Sequence, residues 1–278
     1  DVALDEAIDR VIAGPQKRTR LMDDHEKKIT AYHEAGHALV AAALPGNDPV
    51  HKITIMPRGR ALGYTMVLPD QDKYSTTRSE MLNQLAYMLG GRAAEELIFH
   101  DPTTGASNDI EKATAVARAM VTQYGMTERL GAIRYGQEQN EVFLGRDMGH
   151  IRDYSEEVAA AIDEEVRAFI ETAHQEAYDV LVANRDVLDA MVLALLERET
   201  LDKGEIEEIF AELQLREVRP AWTGSARRRP DERGPVDTPK SIASTNGHGS
   251  ANGHGSANGH GSSDGQRSGG SAEVSDLA

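Results

Sequence analysis

The sequence predicts a mainly α-helical bundle with a small β-hairpin or sheet set beside one of its helices. Three observations carry this expectation. Apolar residues recur at helical spacing through most of the chain up to residue 213. Two short alternating segments flank a Pro-Arg-Gly-Arg turn. From residue 214 onward the periodicity stops, and Pro, Arg, Gly, Ser and Asn take over.

The elements follow in order. Val2, Ala7, Ile8, Val11 and Ile12 space a short helix that stops at Gly14-Pro15. A lone helix needs a partner, so residues 1–14 read either as the remnant of an upstream domain or as a helix docked on the core. From about residue 28 to 44, Ile29, Tyr32, Gly36, Leu39, Val40 and Ala43 share one helical face, and Pro45-Gly46 ends it. Residues 51–56 and 61–67 alternate around Pro57-Arg58-Gly59-Arg60, the pattern of a hairpin.

Thr77 with Glu80 forms a capping-box pair that opens a helix toward Phe99, its inner face carrying Leu82, Leu85, Leu89 and Ala93. Gly90-Gly91 inside that helix costs stability, which implies a close approach by a neighbour. Asn108, with Glu111 at the reciprocal position, is expected to cap a helix running to about Tyr124 and to put Asp109 in its first turn. After an irregular Gly-rich stretch to Gly149, a long helix starting near Ser155 buries Val158, Ile162, Phe169, Ala173 and Val180. Two shorter helices follow, one with Leu188, Met191 and Leu195 inward, the other with Ile206, Ile209 and Phe210 and capped by Asp202 with Glu205.

Composition narrows the chemistry. The net charge is −16, its acidic excess lying before residue 215, and an acidic globule is a poor nucleic-acid binder. Cysteine is absent, so disulfides, thiolate metal sites and cysteine nucleophiles are excluded, and a reducing, cytosolic compartment fits. No basic leader precedes an apolar stretch, and no run of about 18 apolar residues occurs, so the piece itself is expected to be soluble. Residues 214–278 read as a disordered tail, with Arg227-Arg228-Arg229 and a repeated Ala-Asn-Gly-His-Gly-Ser unit around His248, His254 and His260. Its histidines could bind metal weakly, but spaced on flexible chain they are expected to have no functional metal role.

The chemistry-bearing stretch is His33-Glu34-Ala35-Gly36-His37. A helix turns about 100° per residue, so positions 33 and 37 point within about 40° of each other and both imidazoles can reach one cation. Glu34 stands on the adjoining side, where a carboxylate can take a proton from a metal-activated water and hand it to a leaving amine. A chance meeting of two histidines and a glutamate would match this pattern roughly once in a hundred chains of this length. Its placement on a helix favours a zinc hydrolase.

A catalytic zinc needs a third protein ligand and an open position. The metzincin continuation is ruled out, because Val40 and Ala43 stand where glycine and histidine would be required. No glutamate occurs between Ala38 and Ser79. Asp48, His51, Asp70 and Asp72 remain nearby, and Glu95, Glu96, His100, Asp101 and Asp109 farther on; spacing alone does not choose among them.

Three blocks, Ala31-Tyr32-His33-Glu34-Ala35-Gly36-His37, Leu89-Gly90-Gly91-Arg92-Ala93-Ala94-Glu95-Glu96 and Thr104-Gly105-Ala106-Ser107-Asn108-Asp109, resemble the peptidase domain of the FtsH family of ATP-dependent zinc metalloproteases. The resemblance runs from about residue 1 to 213 and includes Glu141-Val142-Phe143-Leu144-Gly145. It implies Asp109 as third zinc ligand, one zinc per chain, and a glutamate of the 95–96 pair, Glu95 being favoured, orienting a ligand histidine. It also implies homo-hexamers fed with unfolded proteins, and location at the cytoplasmic side of the plasma membrane. The ATPase module and membrane helices of that family have no counterpart here, since neither a phosphate-binding loop nor a membrane span is present. Residues 1–14 then resemble the end of that ATPase domain, and 15–213 the peptidase domain.

An extended substrate is expected to add as a strand along the hairpin edge at Gly63, Tyr64, Thr65 and Met66, through backbone hydrogen bonds that ignore sequence. The rival reading is a catalytically silent module that binds zinc for assembly. An intact Glu34 argues against it, because a structural site needs no base and usually has four protein ligands. A metal-dependent hydrolase of another amide, such as a cell-wall peptide, shares the same chemistry and differs in cleft shape.

Overall fold

The computed structural model describes residues 10–11, 22–57, 62–69, 73–136 and 153–236. The expected opening helix, of which only Arg10 and Val11 are described, therefore lies outside these residues. So do the hairpin turn at 58–61, residues 141–145 and the histidine repeats.

Helix α1 spans Asp24–Ala43. The Asp23 carboxylate accepts from the Glu26 amide at 2.7 Å at its start. Its end falls at Leu44, extended at φ −95° and ψ 118°, because the residue before a proline is pushed out of the helical region. From Ala35 to Ala41 every residue of α1 is buried, which makes it the central helix of the bundle.

Strand β1, Val50–Thr54, pairs antiparallel with β2, Tyr64–Val67, on one side. On its other side it pairs with β3, Thr200–Asp202. The order β2-β1-β3 leaves β2 as a terminal strand of the sheet. The hairpin was legible in the alternation, whereas the third strand was not, being only three residues between two helices.

Helix α2, Arg78–Phe99, opens on the expected Thr77–Glu80 capping box and closes at His100 in the left-handed region, φ 59°. It crosses α1 at two glycines. A methyl group on Gly36 would lie 2.5 Å from the Gly90 carbonyl oxygen, and one on Gly90 would lie 2.7 Å from the Gly36 carbonyl oxygen. Only glycine at both positions lets the two backbones touch.

Helix α3, Ser107–Thr122, follows directly on a 3₁₀ turn, Thr104–Ala106. This corrects one expectation: Asn108 is not the cap but an exposed residue inside the first turn, and no side chain caps the helix. The 3₁₀ turn feeds its last amide, that of Ser107, to the Thr104 carbonyl, so the chain enters the helix without a cap residue. Asp109 falls in the first turn as expected.

Helix α4, Glu156–Ala183, starts at Ser155, whose hydroxyl accepts from the Val158 amide. Helix α5, Arg185–Arg198, and helix α6, Lys203–Ile209, complete the bundle, the latter with the expected Asp202–Glu205 capping box. Leu39, Leu85, Met120, Ile162, Leu181 and Leu188 form the fully buried centre, each stabilising the fold by about 1.5–3 kcal/mol on burial. Among the described residues no helix is long and apolar enough to cross a membrane.

The chain beyond residue 213 differs from its sequence reading as a tail. Through Pro230 it belongs to the same compact unit as the bundle. The side chain of buried Asn184 accepts from the Gln214 amide at 2.7 Å and donates to the Gln214 carbonyl at 3.2 Å. Arg216 donates its amide to the Ala43 carbonyl at the end of α1. Arg219 donates to Asn83 Oδ1 at 2.7 Å and pairs with Glu176, while Trp222 stacks on the Arg78 guanidinium at 4.5 Å. Polar and cation–π contacts hold this strap, which is why apolar periodicity did not reveal it. Residues 231–236, the described part of a second unit, carry an Arg233–Asp231 ion pair.

Candidate metal centre

His33 and His37 leave α1 one turn apart and turn their Nε2 atoms toward each other at 3.0 Å. Each ring has its other nitrogen engaged. His33 Nδ1 donates to Glu95 Oε1 at 2.7 Å, and His37 Nδ1 donates to the Tyr87 carbonyl at 2.7 Å. Helix α2 supplies both acceptors, so the helix crossing that the glycines permit also sets the ring orientations. Gly91, one residue past the crossing, faces the rings: a methyl group there would lie 2.6 Å from His33 Nε2 and 2.6 Å from His37 Nε2.

Asp109 arrives from the first turn of α3, its Oδ2 at 3.3 Å from His33 Nε2 and 3.5 Å from His37 Nε2. Among the described residues, these three form the group of His, Asp and Glu side chains placed to share one ion. With both Nδ1 atoms donating, neutral rings present two lone pairs to each other at 3.0 Å, an arrangement that calls for a cation between them. The 3.0, 3.3 and 3.5 Å edges fit the roughly 3.3 Å separation of ligands set at tetrahedral angles about 2.0–2.1 Å from a zinc ion. Side-chain exposure rises from 9% at His37 and 13% at His33 to 22% at Asp109. The set therefore opens to solvent on the Asp109 side, as a catalytic rather than a closed structural site requires.

The pair Glu95 and Glu96 is divided by one step of helix rotation. Glu95, 1% exposed, holds His33 with one oxygen and accepts from the Thr103 amide with the other at 2.5 Å. Glu96 points elsewhere, accepting from Arg92 Nε at 2.6 Å and lying 3.0 Å from His174 Nε2. Of the other carboxylates in reach by sequence, Asp48 pairs with Lys73, and Asp70 and Asp72 lie outside the described residues.

Glu34 is buried beside the two histidines. Thr65 of β2 donates its hydroxyl to Glu34 Oε2 at 2.9 Å and lies 3.0 Å from the Glu34 carbonyl oxygen. Gly63 passes so near that a methyl group on it would lie 3.0 Å from Glu34 Oε1 and 2.6 Å from the Thr54 carbonyl oxygen. Of the residues assigned to the strand edge, Gly63 and Thr65 thus face Glu34, with Tyr64 opposite Thr54 and Met66 opposite Lys52 in the ladder.

The electrostatics follow the geometry. Burial opposes charge on His33, yet its hydrogen bonds with Asp109 and Glu95 overcome that and push its pKa up to about 10, so that without a metal Nε2 holds a proton toward Asp109, the place a bound cation would take when the ring is neutral. Burial likewise works against the Asp109 carboxylate, but both imidazoles hold it well below the usual range. Glu95 is lowered in spite of burial by His33 and the Thr103 amide. Glu34 shifts the other way, raised by burial against the pull of His33, His37 and the Thr65 hydroxyl. Glu34 is thus a buried carboxylate beside the candidate ligand set, with burial and the neighbouring imidazoles acting on its charge in opposite directions.

Gly91, Thr65 as a side-chain donor, and the Tyr87 carbonyl escaped the sequence reading. The Gly90-Gly91 pair was a signal of close approach, but a signal without a direction.

A histidine pair one helical turn apart, an aspartate from a neighbouring helix and a buried glutamate beside a short sheet define a metallopeptidase domain of the HExxH class. The chain belongs to peptidase family M41, whose sequence profile matches residues 20–209. Over 237 residues, 85% of this chain, it is 65% identical to the "ATP-dependent zinc metalloprotease FtsH" of Cutibacterium acnes (strain SK137). It is 52% identical over 89% of its length to the protein of the same name from Rhodococcus erythropolis (strain PR4 / NBRC 100887) and 54% identical over 77% to that of Rubrobacter xylanophilus. The chain spans about a third of the length of these curated relatives, 33%, 29% and 33% respectively.

Proposed function

We propose that this chain is the zinc-dependent endopeptidase part of a membrane-anchored, ATP-driven protease that degrades unfolded or damaged membrane and cytosolic proteins. The names of its relatives support this reading. So does one observation above the rest: two imidazoles with their Nδ1 hydrogens already committed meet an aspartate, with a buried glutamate alongside. On this reading the assembly is a homo-hexamer at the cytoplasmic face of the plasma membrane. Its ATPase and membrane helices belong to the part of such relatives that this chain does not span.

His33, His37 and Asp109 would hold one zinc ion per chain, which supplies Lewis-acid polarisation of the scissile carbonyl and a more acidic water. The rest is work for this chain's own side chains. Glu95 keeps His33 in the tautomer that leaves Nε2 bare. Tyr87 does the same for His37 through its carbonyl. Glu34 takes a proton from the attacking water and delivers it to the departing amine nitrogen. An extended substrate adds along β2 at Gly63, Tyr64, Thr65 and Met66, a reading supported by the terminal place of β2 in the sheet and by its contact with Glu34. Backbone pairing of that kind accepts many sequences.

The test compares zinc content and casein cleavage by the wild type and Glu34→Gln. Zinc in both proteins with cleavage by the wild type alone is expected. Equal cleavage by both would refute the role given to Glu34, and a zinc-loaded, inert wild type would favour a silent assembly module.

A further inference from the structure

The base of a metallopeptidase must present its carboxylate at one rotamer, and a glutamate has three torsions with which to miss it. Glu34 is buried, so a misplaced or undonated carboxylate cannot be rescued by bulk water. Strand β2 approaches it with two residues on one face. Gly63 packs its backbone so close that a methyl group on it would lie 2.9 Å from Glu34 Cγ and 3.0 Å from Oε1, and Thr65, two residues on, donates to Oε2 at 2.9 Å. Thr65 is itself pinned by the ladder, opposite Ile53 of the central strand, and Ile53 is fully buried.

From this juxtaposition we infer that Thr65 is a positioning residue for catalysis: its hydroxyl fixes the Glu34 carboxylate in the orientation from which it takes the proton. The inference rests on the base role given to Glu34 above and deepens it. Thr65 has one hydrogen and two acceptors in reach, the carboxylate at 2.9 Å and the Glu34 main-chain carbonyl at 3.0 Å. Donation to the carbonyl alone would merely tie the sheet to α1. Donation to the carboxylate makes β2 a single part with two tasks, in which the strand that receives the substrate also aims the base.

The experiment uses the full chain with Thr65→Val, which keeps the branched shape and the strand preference while removing the hydroxyl, and Thr65→Ser, which restores a donor. Zinc content of both variants should match the wild type, since Thr65 touches none of the three metal ligands. For peptide cleavage, kcat should fall about ten- to hundredfold in Thr65→Val with KM nearly unchanged, the loss typical of removing a hydrogen bond to a charged group. Thr65→Ser should recover most of that loss. Unchanged kcat in Thr65→Val, or a loss that serine does not repair, would overturn the assignment. A second readout does not depend on cleavage: in a crystal structure of zinc-loaded Thr65→Val the Glu34 carboxylate should leave its wild-type rotamer, and an unmoved carboxylate would also overturn it. An inactive wild type would count against the protease reading, while the crystal structures would still decide the role of Thr65.

Discussion

Gly91 lies against His33 so closely that the methyl group of an alanine would sit 2.6 Å from Nε2, the ring nitrogen that faces His37 and Asp109. The ring cannot yield easily, because its far side is held by Glu95. Gly91→Ala is therefore expected to keep its helical circular dichroism and lose most of its zinc, measured by metal analysis after gel filtration. Gly36→Ala should lose packing together with zinc. Its methyl group meets a backbone carbonyl at 2.5 Å and the Ala94 methyl at 2.7 Å, and overpacking of that kind costs about 1–3 kcal/mol. The melting temperature should drop by several degrees, read by thermal denaturation.

Asp109→Ala should abolish stoichiometric zinc binding, because a histidine pair alone leaves the ion one protein ligand short of a catalytic site. Glu95→Gln is the finer probe. Its amide can still accept from His33 Nδ1, but the charge that stabilises the ligand ring is gone, and loss of such a partner typically weakens metal affinity about 10–100-fold. Competition with a chromophoric chelator measures both. Full zinc occupancy in Asp109→Ala would remove that residue from the ligand set.

Much of this was legible in the sequence, for physical reasons that differ residue by residue. Capping boxes at Thr77 and Asp202 are local, and local hydrogen bonds survive in the fold. His33 and His37 needed only the pitch of a helix to be placed together. Asp109 is far along the chain from His37, and only the docking of α3 on α2 brings it in, so spacing could not select it over its competitors. The choice between Glu95 and Glu96 turns on the rotation of α2 against α1, which the Gly36–Gly90 contact sets. The strap beyond residue 213 carries arginines, an asparagine contact and one tryptophan in place of a repeating apolar face. Asn108 was misjudged because a 3₁₀ turn, invisible to cap statistics, delivers the chain into α3.

The capping box of α2 gives a pH prediction. Glu80 is held below its ordinary value of 4.5, first by the Thr77 amide and hydroxyl and then by Lys73. A lowered folded-state pKa contributes stability above the unfolded value and loses it as pH falls through the folded value. The stability difference between wild type and Glu80→Gln should therefore be present at pH 7 and shrink below about pH 4.5. Thr77→Ala should cost about 0.5–2 kcal/mol. Urea titrations at several pH values report both.

A chain ended after residue 213 should melt at lower temperature than the full chain. It would leave the side chain of buried Asn184 without the Gln214 backbone and Arg78 without the Trp222 ring. Asn184 Nδ2 keeps its bond to the Val180 carbonyl, but Oδ1 loses its donor, and a buried acceptor left unpaired costs about 1–3 kcal/mol. Equal melting temperatures would show the strap to be incidental.

The meeting of Gly36 with Gly90 ties two fates together. Because α1 carries both imidazoles and α2 carries the carboxylate and carbonyl that steer them, nothing can pry the helices apart at their tightest point without scattering the donor set as well. Heating should release the ion and collapse the packing in one calorimetric event, and lineages drifting at either glycine would forfeit chemistry and architecture in the same step.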